Sequence, residues 1–127
     1  MPQIGKSFSA IRLGYVTFVR EIDQVASFEI MDFALEHGVT LLDTTASYGS
    51  ATSEEIVGEW LSDHSLAVGR IIVVTKIQRT YNQDNMPNSV NQSLKRLKRD
   101  SIEVLYLHKW IRLLNSFLCA IMAAFFQ

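Results

Sequence analysis

The sequence predicts an α/β fold built from consecutive βα units, and three observations carry that prediction. Short, almost continuously apolar runs bounded by turn residues read as strands buried on both faces: residues 39–42 (VTLL), 71–75 (IIVVT) and 102–107 (IEVLYL). The polar residues that close these runs, Asp43, Lys76 and His108, stand 33 and 32 positions apart, the length of a strand plus its crossover helix. Right-handed repeats of this kind build either an open doubly wound sheet or a closed (β/α)8 TIM barrel. The dinucleotide-binding open sheet needs a G-x-G-x-x-G turn after its first strand, and this chain reads TFVREID there, which favours the barrel. A full barrel takes about 250 residues, so the 127 residues here accommodate about the first four βα units.

Residues 11–18 (IRLGYVTF) supply the first strand, with Gly14 expected at a point of close backbone approach. Asp23 is the N-cap of a helix running to about His37, and Gly38 is its stop signal. Phe28, Met31 and Leu35 give that helix one apolar stripe. After the strand at 39–42, Thr52 and Glu55 form a T-x-x-E capping box that opens a second helix, with Ile56, Val57, Trp60 and Leu61 on its buried side. The strand 71–75 ends at Lys76, and a polar loop, 78–85, leads to a third helix that tolerates Pro87 in its first turn. Val90, Leu94 and Leu97 form its core face, while Lys95, Arg96, Lys98 and Arg99 are expected on its solvated side and in the loop beyond. His37 and His64, near helix ends, read as plain surface residues.

Composition narrows the function classes. With 48% hydrophobic and 20% charged residues the chain reads as one globular domain, and a formal net charge of −1 gives no electrostatic reason to expect nucleic acid or an anionic membrane as partner. The lone Cys119 excludes an internal disulfide framework and a cysteine-based metal cluster. No metal-ligand spacing occurs, and no metal is expected. The N-terminus, MPQIGKSFSA, lacks the apolar core of a signal peptide, so a cytoplasmic location is the expectation.

The candidate chemistry lies in the segment VTLLDTTASYG and at the two later strand ends. Asp43 leaves the second strand and Tyr48 sits on the loop beyond it; Lys76 ends the third strand and His108 the fourth. A lysine closing a buried apolar strand needs a carboxylate nearby, and Asp43, one strand over, is the candidate. A neighbouring cation makes a phenol a better proton donor by favouring its phenolate. A histidine at the fourth strand end can orient a carbonyl or relay a proton. A Schiff-base aldolase using Lys76 as nucleophile is a competing reading, but it leaves Asp43 and Tyr48 without a role.

The residues Asp43-x4-Tyr48-Gly49, the strand IIVVTK through Lys76 and the segment LYLHKW, with GVTLLDT, SEEIVGEWL and NQSLKRL between and around them, resemble the aldo-keto reductase family over roughly residues 9–110. The resemblance implies a catalytic tetrad of Asp43, Tyr48, Lys76 and His108. Tyr48 would be the proton donor, Lys76 with Asp43 would tune it, and His108 would position the carbonyl, so that Tyr48 and His108 contact the substrate. It also implies NADP(H) as cofactor, with Asp43 a weak contact and most cofactor-binding residues in a C-terminal half beyond this sequence. The substrate would be a small-molecule aldehyde or ketone. Where the family places a threonine near the nicotinamide, this chain has the bulkier Tyr15, which would alter the local fit.

Residues 1–110 are thus expected to form the N-terminal half of the barrel, and 111–127 a divergent apolar tail. Residues 113–126 carry no charge but are too few for a spanning helix, which needs about 20 apolar residues. The tail is expected to be either a helix packed on the sheet or a segment foreign to the family, as from a truncated gene model. In that case the chain would be inactive by itself, with self-association through exposed sheet edges. The alternative from a non-enzyme class is a regulatory or binding relative of the family, like the channel subunits built on this fold.

Overall fold

Four parallel strands lie side by side in the order β1-β2-β3-β4, each joined to the next by a helix. The strands are β1 (Arg12–Gly14), β2 (Leu41–Asp43), β3 (Ile72–Ile77) and β4 (Val104–Leu107). The helices are α1 (Gln24–Glu36), α2 (Thr52–Asp63) and α3 (Met86–Leu97). The computed structural model describes residues 6–15, 21–47, 51–77 and 84–107. Tyr48, His108 and the tail 111–127 therefore lie outside the described residues, as does the end of the expected first strand. Among the described residues no helix is long and apolar enough to cross a membrane. The architecture matches a partial (β/α)8 barrel of four units.

Strand register decides which side chains share a face. Leu13 pairs with Leu42 and Leu42 with Val73, and these face the helices. There they join Tyr15, Met31, Ile56, Val57, Trp60, Leu61, Ile71 and Leu97 in one buried cluster. A second cluster, Ile77, Met86 and Val90, extends it under β4 with Leu94, Leu105 and Leu107. The apolar stripes expected on all three helices accordingly point into the core. Gly14, Asp43, Val74 and Val104 are level with one another on the opposite face.

Helix ends follow cap chemistry at α1. The Asp23 carboxylate accepts the Ala26 N–H at 2.9 Å, and Gly38 leaves the helix at φ 81°, in the left-handed region. Asp23→Ala is expected to lower stability by about 1 kcal/mol, seen as a lower urea midpoint at unchanged slope. The expected capping box at Thr52 is corrected: Ala51 occupies the N-cap at φ 75° with no side-chain cap bond, and Thr52 is already helical. Gly14 is corrected too, since a Cβ there would meet nothing within 4 Å.

The basic cluster is only half a solvated face: Lys95 and Lys98 are exposed as expected, and Arg96 and Arg99 are not. Lys98 makes an exposed pair with Glu59 at 2.7 Å, but Arg96 and Arg99 turn inward. Arg96 Nε donates to the fully buried Glu54 at 2.7 Å. Arg99 and Lys6 both donate to Glu103 Oε1 at 2.6 Å, and the other carboxylate oxygen accepts the Val73 N–H at 3.0 Å. Lys6 also reaches the carbonyls of Val68 and Ile71, at 3.2 and 2.8 Å. Of the histidines, His37 is exposed as expected. His64 is half-buried: its Nε2 lies 2.9 Å from the Asp32 carboxylate, its Nδ1 2.8 Å from the Trp60 carbonyl, and its ring stacks on Trp60.

Candidate active site

The carboxyl ends of β2 and β3 bring Asp43 and Lys76 together. Asp43 is level with Val74, and Lys76 lies two residues further along the same face of β3, so the lysine reaches back across to the aspartate. Its ammonium donates to Asp43 Oδ1 and, at 3.3 Å, to the Thr44 carbonyl. The Asp43 side chain is 9% exposed and the Lys76 side chain 19%. Each charge therefore needs the other, because an unpaired buried ion is costly. This is the pairing expected from the strand-end positions.

Arg12 joins the pair, and the sequence reading missed it. Its guanidinium approaches Asp43 Oδ2 at 3.1 Å from β1, so the carboxylate is held between two cations and the trio carries a net positive charge. A signal existed. Arg12 is two residues before Gly14 in a strand, hence on the same face, and Gly14 is level with Asp43. The Arg12 side chain remains 63% exposed and open to solvent on the site side, so its pairing is screened and worth little in stability.

Thr45 connects this pair to the loop that leads to Tyr48. Its hydroxyl donates to the Lys76 carbonyl at 3.1 Å and accepts the Ser47 N–H at 3.3 Å. The main chain beyond Asp43 is thus tied to the end of β3. Tyr48 and His108 themselves lie outside the described residues. Tyr15, expected to crowd the cofactor, is fully buried in the helix-facing cluster, on the other side of the sheet from Asp43. Burial there pushes its phenol well above the ordinary tyrosine value. Tyr15 is thus turned away from the face that carries Asp43, and a Cβ at Gly14 would meet nothing within 4 Å. Among the described residues no group of three or more His, Cys, Asp or Glu could hold a metal ion.

The arrangement can hold a fixed positive charge at the carboxyl end of a parallel sheet, where α/β barrels place their chemistry. Comparison with known proteins bears on the family and the fold. The aldo/keto reductase family model matches residues 10–126. The aldo-keto reductase YhdN of Bacillus subtilis is 34% identical over 95 residues, covering 68% of this chain and 28% of its own length. The aryl-alcohol dehydrogenase [NADP(+)] of Phanerodontia chrysosporium is 27% identical over 135 residues, covering 86% of this chain and 35% of its own. The solved holo form of aldo-keto reductase AKR11C1 from Bacillus halodurans superposes with a TM-score of 0.73 at 25% identity, over 93% of this chain and 41% of that one. The chain thus spans roughly a third of the curated relatives' length. By the extent of the family match, over residues 10–126, the chain belongs to the aldo/keto reductase family.

Proposed function

We propose that this chain carries the proton-donating part of an NAD(P)H-dependent oxidoreductase site that reduces aldehydes or ketones to alcohols. The observation behind the reading is the Lys76–Asp43 pair on the open face of the strand ends. In this reading Tyr48 donates its phenolic proton to the carbonyl oxygen. Lys76, held by Asp43, stabilises the phenolate left behind, a need set by the ordinary phenol pKa of about 10. His108 orients the carbonyl. NADP(H), the cofactor named for the Phanerodontia chrysosporium relative, would supply the hydride from its nicotinamide ring when bound. The residues present fit the edge of such a group: Asp43 and Gly14, level with each other on adjacent strands and with no described atom within 4 Å of a Cβ at Gly14, would border it.

Residues 1–110 are the barrel half in this reading, and the 127-residue chain alone gives no turnover. Holding the reacting atoms in place accounts for about 7–11 kcal/mol of the barrier in well-oriented systems. The relatives matched here extend well beyond the region they share with this chain. The test grafts residues 10–110 into Bacillus subtilis YhdN in place of its matching segment and follows NADPH consumption with a reactive aldehyde. The graft is expected to turn over, and Tyr48→Phe and Lys76→Met each to lower kcat by about a hundredfold or more. Equal turnover by the graft and both variants would refute the assignment. The bare chain is assayed alongside. Tyr48-dependent turnover by it would mean that two copies complete each other through β1 and β4.

A further inference from the structure

Behind the Asp43–Lys76 pair, on the helix side of the sheet, lies a buried polar network that the site chemistry does not use. The Thr44 and Ser53 hydroxyls are hydrogen-bonded at 2.7 Å, and both residues are fully buried. The Thr75 hydroxyl donates to Glu54 Oε1 at 2.6 Å, again between fully buried residues. Arg96 completes the network from α3, its Nε on Glu54 Oε2 and its Nη2 at 3.3 Å from Ser93 Oγ. Gly58 makes this reach possible. A Cβ there would stand 2.0 Å from the Arg96 carbonyl oxygen, so the two helices touch where Arg96 turns in.

Packing α2 onto the sheet does not require this. Apolar side chains of the same volume hold a helix on a sheet at lower desolvation cost. A polar network instead makes one register distinguishable from its neighbours. Thr44 follows Asp43 and Thr75 precedes Lys76, and in a strand adjacent side chains point to opposite faces. Fixing the two threonines to the helix side therefore fixes Asp43 and Lys76 to the other side, at a set height. Ser53 and Glu54 are neighbours in one helical turn, so a single rigid element sets both strand ends relative to each other.

We propose that Ser53 and Glu54 are positioning residues of the site: the first turn of α2 sets the ion pair through Thr44 and Thr75. The inference rests on the reading of Asp43 and Lys76 as site residues, but its test reads the ion pair without substrate or cofactor. A chain that reduces no carbonyl leaves that test intact.

The full chain is labelled with a trace of acetic anhydride, and acetylation rates of Lys76 and Lys98 are compared by peptide mass spectrometry. Lys98, in an exposed pair, is the internal control for general loosening. Thr75→Val keeps the shape of the side chain but loses its hydroxyl. It is expected to raise the Lys76 rate about fivefold, the population change matching one ordinary hydrogen bond, with Lys98 unchanged. Thr75→Ser, which restores the hydroxyl, is expected to label at the parent rate. Thr44→Val removes the other contact and is expected to act in the same direction. The proposal is overturned if Lys76 labels at the parent rate in both valine variants, or if Lys76 and Lys98 accelerate together in both. It is equally overturned if the serine variant behaves like the valine one.

Discussion

Arg96→Leu is expected to lower folding stability by about 3–5 kcal/mol, a large part of what a small domain has. Glu54 is fully buried, and among the described residues its carboxylate has one cation, the Arg96 guanidinium at 2.7 Å. Removing that partner leaves a desolvated charge that must either be protonated or draw water into the α2–α3 contact. The Thr75 hydroxyl bond is too weak to compensate. The double variant Glu54→Leu/Arg96→Leu removes both charges and is expected to regain most of the loss. Urea denaturation of the three chains measures this, and a single variant as stable as the parent would show Glu54 to be neutral or hydrated already.

Trp60→Ala is expected to cost about 3–5 kcal/mol by the same measurement, through a different cause. The indole is fully buried at the centre of the helix-facing cluster, and its removal leaves a cavity that α1 and α2 can close only in part. Its Nε1 also donates to Asp32 at 2.7 Å, joining α2 to α1, and its face supports the His64 ring at 4.3 Å. Trp60→Phe separates the two contributions. It keeps most of the packing and loses the N–H, so about 1 kcal/mol is the expected loss. Equal losses for Phe and Ala would place the effect in the Asp32 bond and not in the cavity.

Sequence patterning located each of the described strands and helices, because strand length, helix caps and apolar periodicity are local properties. Asp23 and Gly38 bounded α1 correctly since each acts on the backbone within four residues. The Asp43–Lys76 pair was legible for a less local reason: two polar residues at corresponding ends of adjacent buried strands have few other ways to be satisfied. What escaped depended on packing between elements. Arg96 looked solvated from its helix alone, and only the close approach at Gly58 explains why it turns toward Glu54. Arg12 required the β1–β2 register, which no turn residue specifies. His64 required knowing that α1 would present Asp32 beside it.

The strand order has a consequence for how the chain is made. Each strand pairs with the one before it, roughly 30 positions earlier, so a chain emerging from the ribosome always finds its partner strand already synthesised. Growth can proceed unit by unit without waiting for a distant segment. Lys6 is the exception. Its contact with Glu103 spans 97 positions and cannot form until α3 and the approach to β4 have emerged. Until then, among the described residues, the Lys6 ammonium has the Val68 and Ile71 carbonyls to meet, and those after β2 and α2 are in place. The chain just after Lys6 is held much earlier, since the Ser9 hydroxyl accepts the Thr40 and Leu41 N–H groups at 3.1 and 3.2 Å, so it is the Lys6 ammonium alone that waits for a residue made 97 positions later.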